Sequence, residues 1–232
     1  MGMIQTIKVI STIIDIAKPV IETVSPKLQE GMKDFAERML ELSEKYPSIA
    51  GFAQMIDKAA DIMGDILYAL GISADSADVM GVKAAQADKG VNDFDNVEEY
   101  ISYLKNEIDL DKEKFDALSE GERVAYSITG MAIGAGAISE KLGMEIPADV
   151  VELISQIAEI GKIAVEAKEI ISLAISLKDK GVDNLSDVLD CVKGEGKSDR
   201  LKTGEALVNA LDEVNPGKGN DILNEIIDEI RG

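Results

Sequence analysis

The sequence predicts an all-α protein, and three observations carry that prediction. Apolar residues recur at three- and four-residue intervals along most of the chain, the spacing that lines one face of a helix. Aromatic residues make up only 4%, and runs of alternating β-branched residues are scarce, so little favours sheet. Proline and glycine fall mostly between the periodic stretches, where they start or stop helices. At 232 residues, 46% of them hydrophobic, the chain is long and apolar enough to bury a core. The expected architecture is a bundle of roughly eight to ten helices around a long central helix at about 148–180. A main domain over 1–180 with a C-terminal helical lobe over 181–232 packed on it is expected, the alternative being one continuous domain.

The elements follow in order. Ile4, Ile7, Ile10, Ile13, Ile14 and Ala17 share one face of a first helix that Pro19 is expected to bend or end. Ser25-Pro26 has the form of a cap followed by proline in the first turn, opening a second helix that reaches about Lys45. Pro47 and Ser48 restart the chain, and Phe52, Met55, Ile56, Ala59, Met63, Ile66 and Leu70 stripe a third helix that stops at Gly71. An alanine-rich helix spans about Asp75 to Gly90. Asp95-Asn96-Val97-Glu98 and Ser119-Glu120-Gly121-Glu122 both have capping-box spacing, opening a helix through Ile101 and Leu104 and an uncharged helix that ends near Gly143. Pro147 starts the longest element. Three shorter helices close the chain, near Asn184–Lys193, Asp199–Val214 and Asn220–Ile230. Asp95-Asn96-Val97 through Lys105 echoes Asp183-Asn184-Leu185 through Lys193, which suggests two related helical halves.

Composition removes much chemistry. There is no histidine, the residue that most often serves as general base and metal ligand. A di-iron bundle needs two Glu-x-x-His motifs and is excluded on that ground. The single Cys191 cannot form an internal disulfide, and it reads as a small apolar filler. Cys191 to Ser198 ends like a phosphate-binding loop, but Cys191 stands where the first glycine belongs and a helix precedes it, so it reads as a connector with Ser198 capping the next helix. No cofactor is expected.

Asp109, Asp111, Glu113 and Glu120 occupy four ligand positions of a calcium-loop template and are the weak metal candidates of this chain. Lys114 replaces the glycine of the sharp turn, so Asp111 capping a short helix is the simpler account. Gly130 and Gly134 form a GxxxG pair. Between the flanking charges Arg123 and Glu140 the uncharged stretch is too short to span a bilayer, so close helix packing in a core is the expected use. The N-terminal run Ile4–Val24 carries Lys8, Asp15, Lys18 and Glu22 and lacks a signal peptide's unbroken apolar core, so neither stable membrane insertion nor export is expected and the cytoplasm is the expected location.

The remaining chemistry is charge. Forty-four acids against 24 bases give a net charge of −20 and an isoelectric point near 4.3, which repels nucleic acid and attracts basic proteins. Asp57, Asp61 and Asp65 stack at four-residue spacing on one helix face. The span Asp93–Glu122 holds eleven acids and three bases together with Phe94, Tyr100, Tyr103 and Phe115. Aromatic anchors among like charges resemble an interface, so Tyr100, Tyr103, Glu98, Glu99 and Glu107, with Asp57, Asp61 and Asp65, are the expected partner-binding residues. The expected function is non-enzymatic: an acidic binding module for a basic protein partner, in the manner of an immunity, antitoxin or escort protein. The rivals are a Mg²⁺-dependent hydrolase working through carboxylates alone and a helical protein that acts on membranes.

Overall fold

Helical periodicity with no strand alternation leaves the backbone amides one general way to pair, and the computed structural model is helical accordingly. It describes residues 14–46, 48–152, 154, 166–194 and 200–231. Among these no strand occurs; one isolated backbone bridge joins Glu145 and Asn184. The chain divides into two units, Met1–Glu140 and Lys141–Gly232. The boundary expected after residue 180 falls inside the second unit, and each unit holds one copy of the Asp-Asn echo.

In the first unit, α1 (14–24) buries Ala17, Ile21 and Val24. It runs through Pro19, so of the expected bend or end the end does not occur. Burial of residues on both sides of the proline outweighs the one lost amide bond. Ser25–Lys27 is a single 3₁₀ turn with no side-chain cap, so the expected start of α2 at Ser25 is corrected to Glu30. Helix α2 (Glu30–Leu42) buries Met32, Phe35, Ala36, Met39 and Leu42. Ser48 caps α3 (Ile49–Ala69) by accepting from the Gly51 amide at 3.1 Å, and Gly71 closes it in the left-handed region at φ 81°. That conformation suits glycine and lets the Ile72 amide reach back to the Leu67 carbonyl at 2.9 Å.

Helix α4 (Ala77–Gln86) is shorter than expected. Its C-terminal carbonyls receive a cation from elsewhere: the Lys27 ammonium donates to the oxygens of Ala84 (3.1 Å), Ala85 (2.9 Å) and Ala87. The cap of α5 (Val97–Glu107) is Asn96, which accepts from the Glu99 amide at 2.9 Å, one residue later than the box read at Asp95. The short α6 (Lys112–Asp116) is capped by Asp111, and α7 (Glu120–Leu142) opens on the Ser119/Glu122 box as expected, with the Glu122 amide on Ser119 Oγ and the Ser119 amide on Glu122 Oε2.

Helix α7 is the centre of this unit. Its glycines mark where neighbours press on it: a Cβ on Gly121 would meet Ile16 of α1, one on Gly136 would meet Met32 of α2, and one on Gly134 would lie 2.9 Å from Met63 and 3.3 Å from Leu67 of α3. Against α4 the backbones themselves touch. A Cβ on Gly130 would lie 2.6 Å from the Ala77 carbonyl carbon, and one on Gly81 of α4 would lie 2.7 Å from that of Tyr126. The GxxxG pair thus serves core packing, Gly130 toward α4 and Gly134 toward α3. The Val97 amide donates to Glu140 at 2.8 Å, tying α5 to the end of α7.

The second unit begins with a helical stretch, α8 (148–152). The long helix expected over 148–180 is not continuous: Glu166 is extended (φ −78°, ψ 140°) and a new helix, α9 (Ala167–Asp179), starts after it. Apolar periodicity marks burial and does not record an extended residue such as Glu166 between two helical stretches, which explains the overextension. Residues 155–165 lie outside the described residues, as do residues 195–199, where Ser198 was expected to cap. Asn184 caps α10 (Leu185–Lys193), and Gly194 ends it at φ 79°. Helices α11 (Arg200–Val214) and α12 (Gly219–Arg231) complete the unit. Its core is Met144, Ala174, Leu177, Val182, Val192, Ala206, Leu207, Ala210 and Leu211, with Ile222, Leu223, Ile226 and Ile227 of α12 packed on it. No described helix is long and apolar enough to cross a membrane.

Candidate functional site

Helix α3 turns its apolar stripe toward α7, and the four-residue repeat of Asp57, Asp61 and Asp65 therefore falls on its outer side. The turn at Gly71 brings the chain back through an extended stretch to α4, so Asp75, Ser76 and Asp78 come to stand across from that stripe. Between them lies a groove of about 590 Å³, floored by Met63, Met80, Ser127, Gly130 and Met131 and walled by Asp57, Asp61, Asp65, Asp75 and Asp78. Its size is within the range of pockets that hold ligands.

The walls are unevenly neutralised. Asp75 pairs with the nearly buried Lys83 at 2.8 Å, and Lys83 also donates to the Lys105 carbonyl. Asp78 accepts from Ser76 Oγ at 2.6 Å and from the Val79 amide at 2.9 Å. Among the described residues Asp57, Asp61, Asp65 and Asp78 make no ion pair. Partial burial, then the charges of Asp61, Asp78 and Glu120, hold the Asp57 carboxyl above its ordinary value of 3.8. Carboxylates from α3, α4 and the start of α7 thus act on one another here.

Tyr68 continues the stripe. It follows Asp61 by seven residues and Asp65 by three, which places it on the same face, and it is 83% exposed. Sequence reading missed both Tyr68 and Asp78, although the i+7 relation of Tyr68 to Asp61 was available.

The other expected partner-binding residues are placed differently. Tyr100 has no exposed surface, so its assignment as a surface anchor is corrected to a core position; its hydroxyl is buried with no hydrogen-bond partner among the described residues, and desolvation pushes its pKa up. Its spacing from Val97, Ile101 and Leu104 puts it on the inner face of α5. Phe94, Tyr100 and Tyr103 form an aromatic cluster with centroids 5.1–6.3 Å apart. Lys89 stands 5.7 Å and 5.4 Å from the Phe94 and Tyr103 ring centroids. Half-buried Tyr103 donates to Asp88 at 2.6 Å, an interaction that raises the phenol and lowers the carboxyl. Glu98, Glu99 and Glu107 are exposed, Glu99 being engaged with its cap Asn96. Phe115 is covered by Arg123, whose guanidinium lies 4.8 Å from its ring.

The calcium-loop candidates do not come together. Asp111 accepts from the Lys114 amide at 3.2 Å and pairs with its ammonium at 3.0 Å, which lowers its pKa. Asp109 and Glu113 are exposed, while Glu120 stands near Asp57. Among the described residues no group of three or more Asp, Glu or Cys is arranged to hold a metal ion. Comparison with protein-family models, with curated proteins and with solved structures finds no match.

Proposed function

We propose that this chain is a non-enzymatic acidic binding protein that neutralises, escorts or scaffolds a basic protein, as an immunity or antitoxin protein does, and that the face shared by α3 and α4 is its docking surface. The observation that supports this reading is the groove in which carboxylates of α3, α4 and the stretch between them gather, all but Asp75 making no ion pair among the described residues. Four acids with no ion pair among the described residues raise the protein's own energy, and an incoming Lys or Arg relieves that repulsion while the net charge of −20 steers it in. Exposed Tyr68 supplies an aromatic contact at the end of the stripe.

The test is affinity capture from the native source at low and high salt, with the full chain as bait. A basic partner retained at low salt and released at high salt is expected, because screening shortens the reach of surface charge to about 10 Å at 0.1 M. Asp57→Asn with Asp61→Asn, or Tyr68→Ala, should weaken capture more than Tyr103→Phe. Capture of the same partner undiminished by the Asp pair would move the interface off α3.

One observation favours a second reading. A cleft holding a carboxyl with a raised pKa is what a carboxylate-only, Mg²⁺-dependent hydrolase needs. Titration with Mg²⁺ and Mn²⁺ decides between them: saturable binding lost in the Asp57→Asn, Asp61→Asn protein favours the enzyme.

A further inference from the structure

The groove has a floor as well as charged walls, and the floor narrows the chemistry of what enters it. We propose that it receives Lys or Arg side chains from a short basic segment of the partner protein, their aliphatic stems lying on methionines and their charged heads held by Asp57, Asp61 and Asp78. This deepens the preceding reading and rests on it.

Three features point to such an occupant. The floor is apolar and soft: Met63, Met80 and Met131 are 4%, 3% and 0% exposed, and thioether side chains adapt to varied aliphatic surfaces. Lys and Arg are the side chains that match an apolar floor beneath an acidic rim, because their stems bury while their heads stay at the polar edge. A bare metal ion would use the rim alone, and among the described residues no ligand set for one is formed.

The second feature is Ser127. It lies on α7 in the groove floor, is only 6% exposed, and has no hydrogen-bond partner among the described residues. Its hydroxyl is an acceptor at the bottom of the groove, and an ammonium or guanidinium N–H entering there supplies a donor in place of water. The third is spacing. Successive acids on α3 are separated by one turn, a rise of about 6 Å. Alternate residues of an extended chain stand about 6.6 Å apart, so basic residues at every second position meet successive acids.

The experiment uses the full chain and an end-blocked, labelled hexalysine peptide at low ionic strength, read by fluorescence anisotropy, with far-ultraviolet circular dichroism of each variant to confirm the fold. Gly64 lines the groove, and a Cβ there meets nothing within 4 Å, so Gly64→Leu adds an aliphatic side chain to the lining from an unobstructed Cβ and leaves the charge unchanged. Gly64→Leu is expected to weaken hexalysine binding about tenfold or more, as is the Asp57→Asn, Asp61→Asn pair. A hexapeptide of diaminobutyrate, equal in charge but shorter in the stem, should bind several-fold more weakly than hexalysine. If the Asp pair abolishes binding while Gly64→Leu binds as wild type, the acids act as an open surface: the insertion fails and the proposed function stands. A wild-type protein that ignores hexalysine also overturns the insertion, and capture from the native source then judges the function separately. A free linear tetraamine that binds as tightly as the peptide and displaces it would replace the protein segment with a small polyamine and overturn the proposal.

Discussion

Substituting Gly130 with Ala tests whether α4 and α7 meet backbone to backbone. The added Cβ would lie 2.6 Å from the Ala77 carbonyl carbon and 2.9 Å from its Cα, and closer still to the carbonyl oxygen. Neither neighbour is a flexible side chain, so relief requires the helices to part by roughly 1 Å, a gap that forfeits a quarter to a half of each dispersion contact along the crossing. Overpacking of this kind costs about 1–3 kcal/mol or more, against which alanine's better helix propensity returns about 1 kcal/mol. A net loss of about 1 kcal/mol, reaching about 2 at the upper end, is expected. Gly31 and Gly64 are the controls: both are helical, a Cβ on either meets nothing within 4 Å, and Ala there should stabilise by about 0.5–1 kcal/mol. All five tyrosines and all four phenylalanines lie before residue 140, so urea unfolding followed by near-ultraviolet circular dichroism reads the first unit alone. Gly81→Ala meets Tyr126 across the same crossing, so the double variant should cost less than the sum of the singles, since one separation accommodates both methyls. Gly130→Ala stabilising the unit as much as Gly31→Ala, or strict additivity with Gly81→Ala, would refute the close crossing.

Other consequences can be measured in the same way. Tyr100→Phe removes a buried hydroxyl that has no partner among the described residues and keeps the ring between Phe94 and Tyr103, so the unit should be unchanged or about 1 kcal/mol more stable in urea; a clear loss would reveal a bonded hydroxyl. Lys27→Met keeps the stem but strips three carbonyls at the end of α4 of their donor, a loss of about 1.5–3 kcal/mol, with faster hydrogen exchange of the last α4 amides as the local signature. Glu213 is held below its ordinary value of 4.5 by Lys180 and then Ser176. A carboxyl depressed in the folded state contributes stability above the unfolded value and loses it as pH falls through the folded one. Amides of α9 and α11 should therefore lose protection on acidification below 4.5, and less so in Glu213→Gln; equal pH profiles would remove Glu213 from the account.

What could be read from the chain follows the range of each interaction. Ser48 and the Ser119/Glu122 box were legible because a cap is settled within four residues. At Asp95-Asn96 two adjacent cap formers compete, and Asn96, extended at φ −154° and ψ 166°, takes the role. Pro19 does not end its helix because the packing of Ala17, Ile21 and Val24 outweighs a local penalty that is all the sequence displays. The acid stripe on α3 was visible as a four-residue repeat. The groove was not, because its opposite wall depends on where α4 lies, and that is settled between Gly81 and Gly130, 49 residues apart in sequence. Tyr100 was misplaced by letting its acidic surroundings outrank its helical spacing, which already aligned it with Val97, Ile101 and Leu104.

The two glycines also have a meaning for recognition. Because α4 rests directly on the α7 backbone, the distance between the groove walls is governed by the Gly81 and Gly130 crossing and not by the acids themselves. A methyl at position 81 or 130 would lift one wall away from the floor and alter the aperture without altering a single carboxylate. If the groove receives Lys and Arg side chains as proposed, its selectivity by girth drifts with substitutions at a helix crossing, separately from its charge.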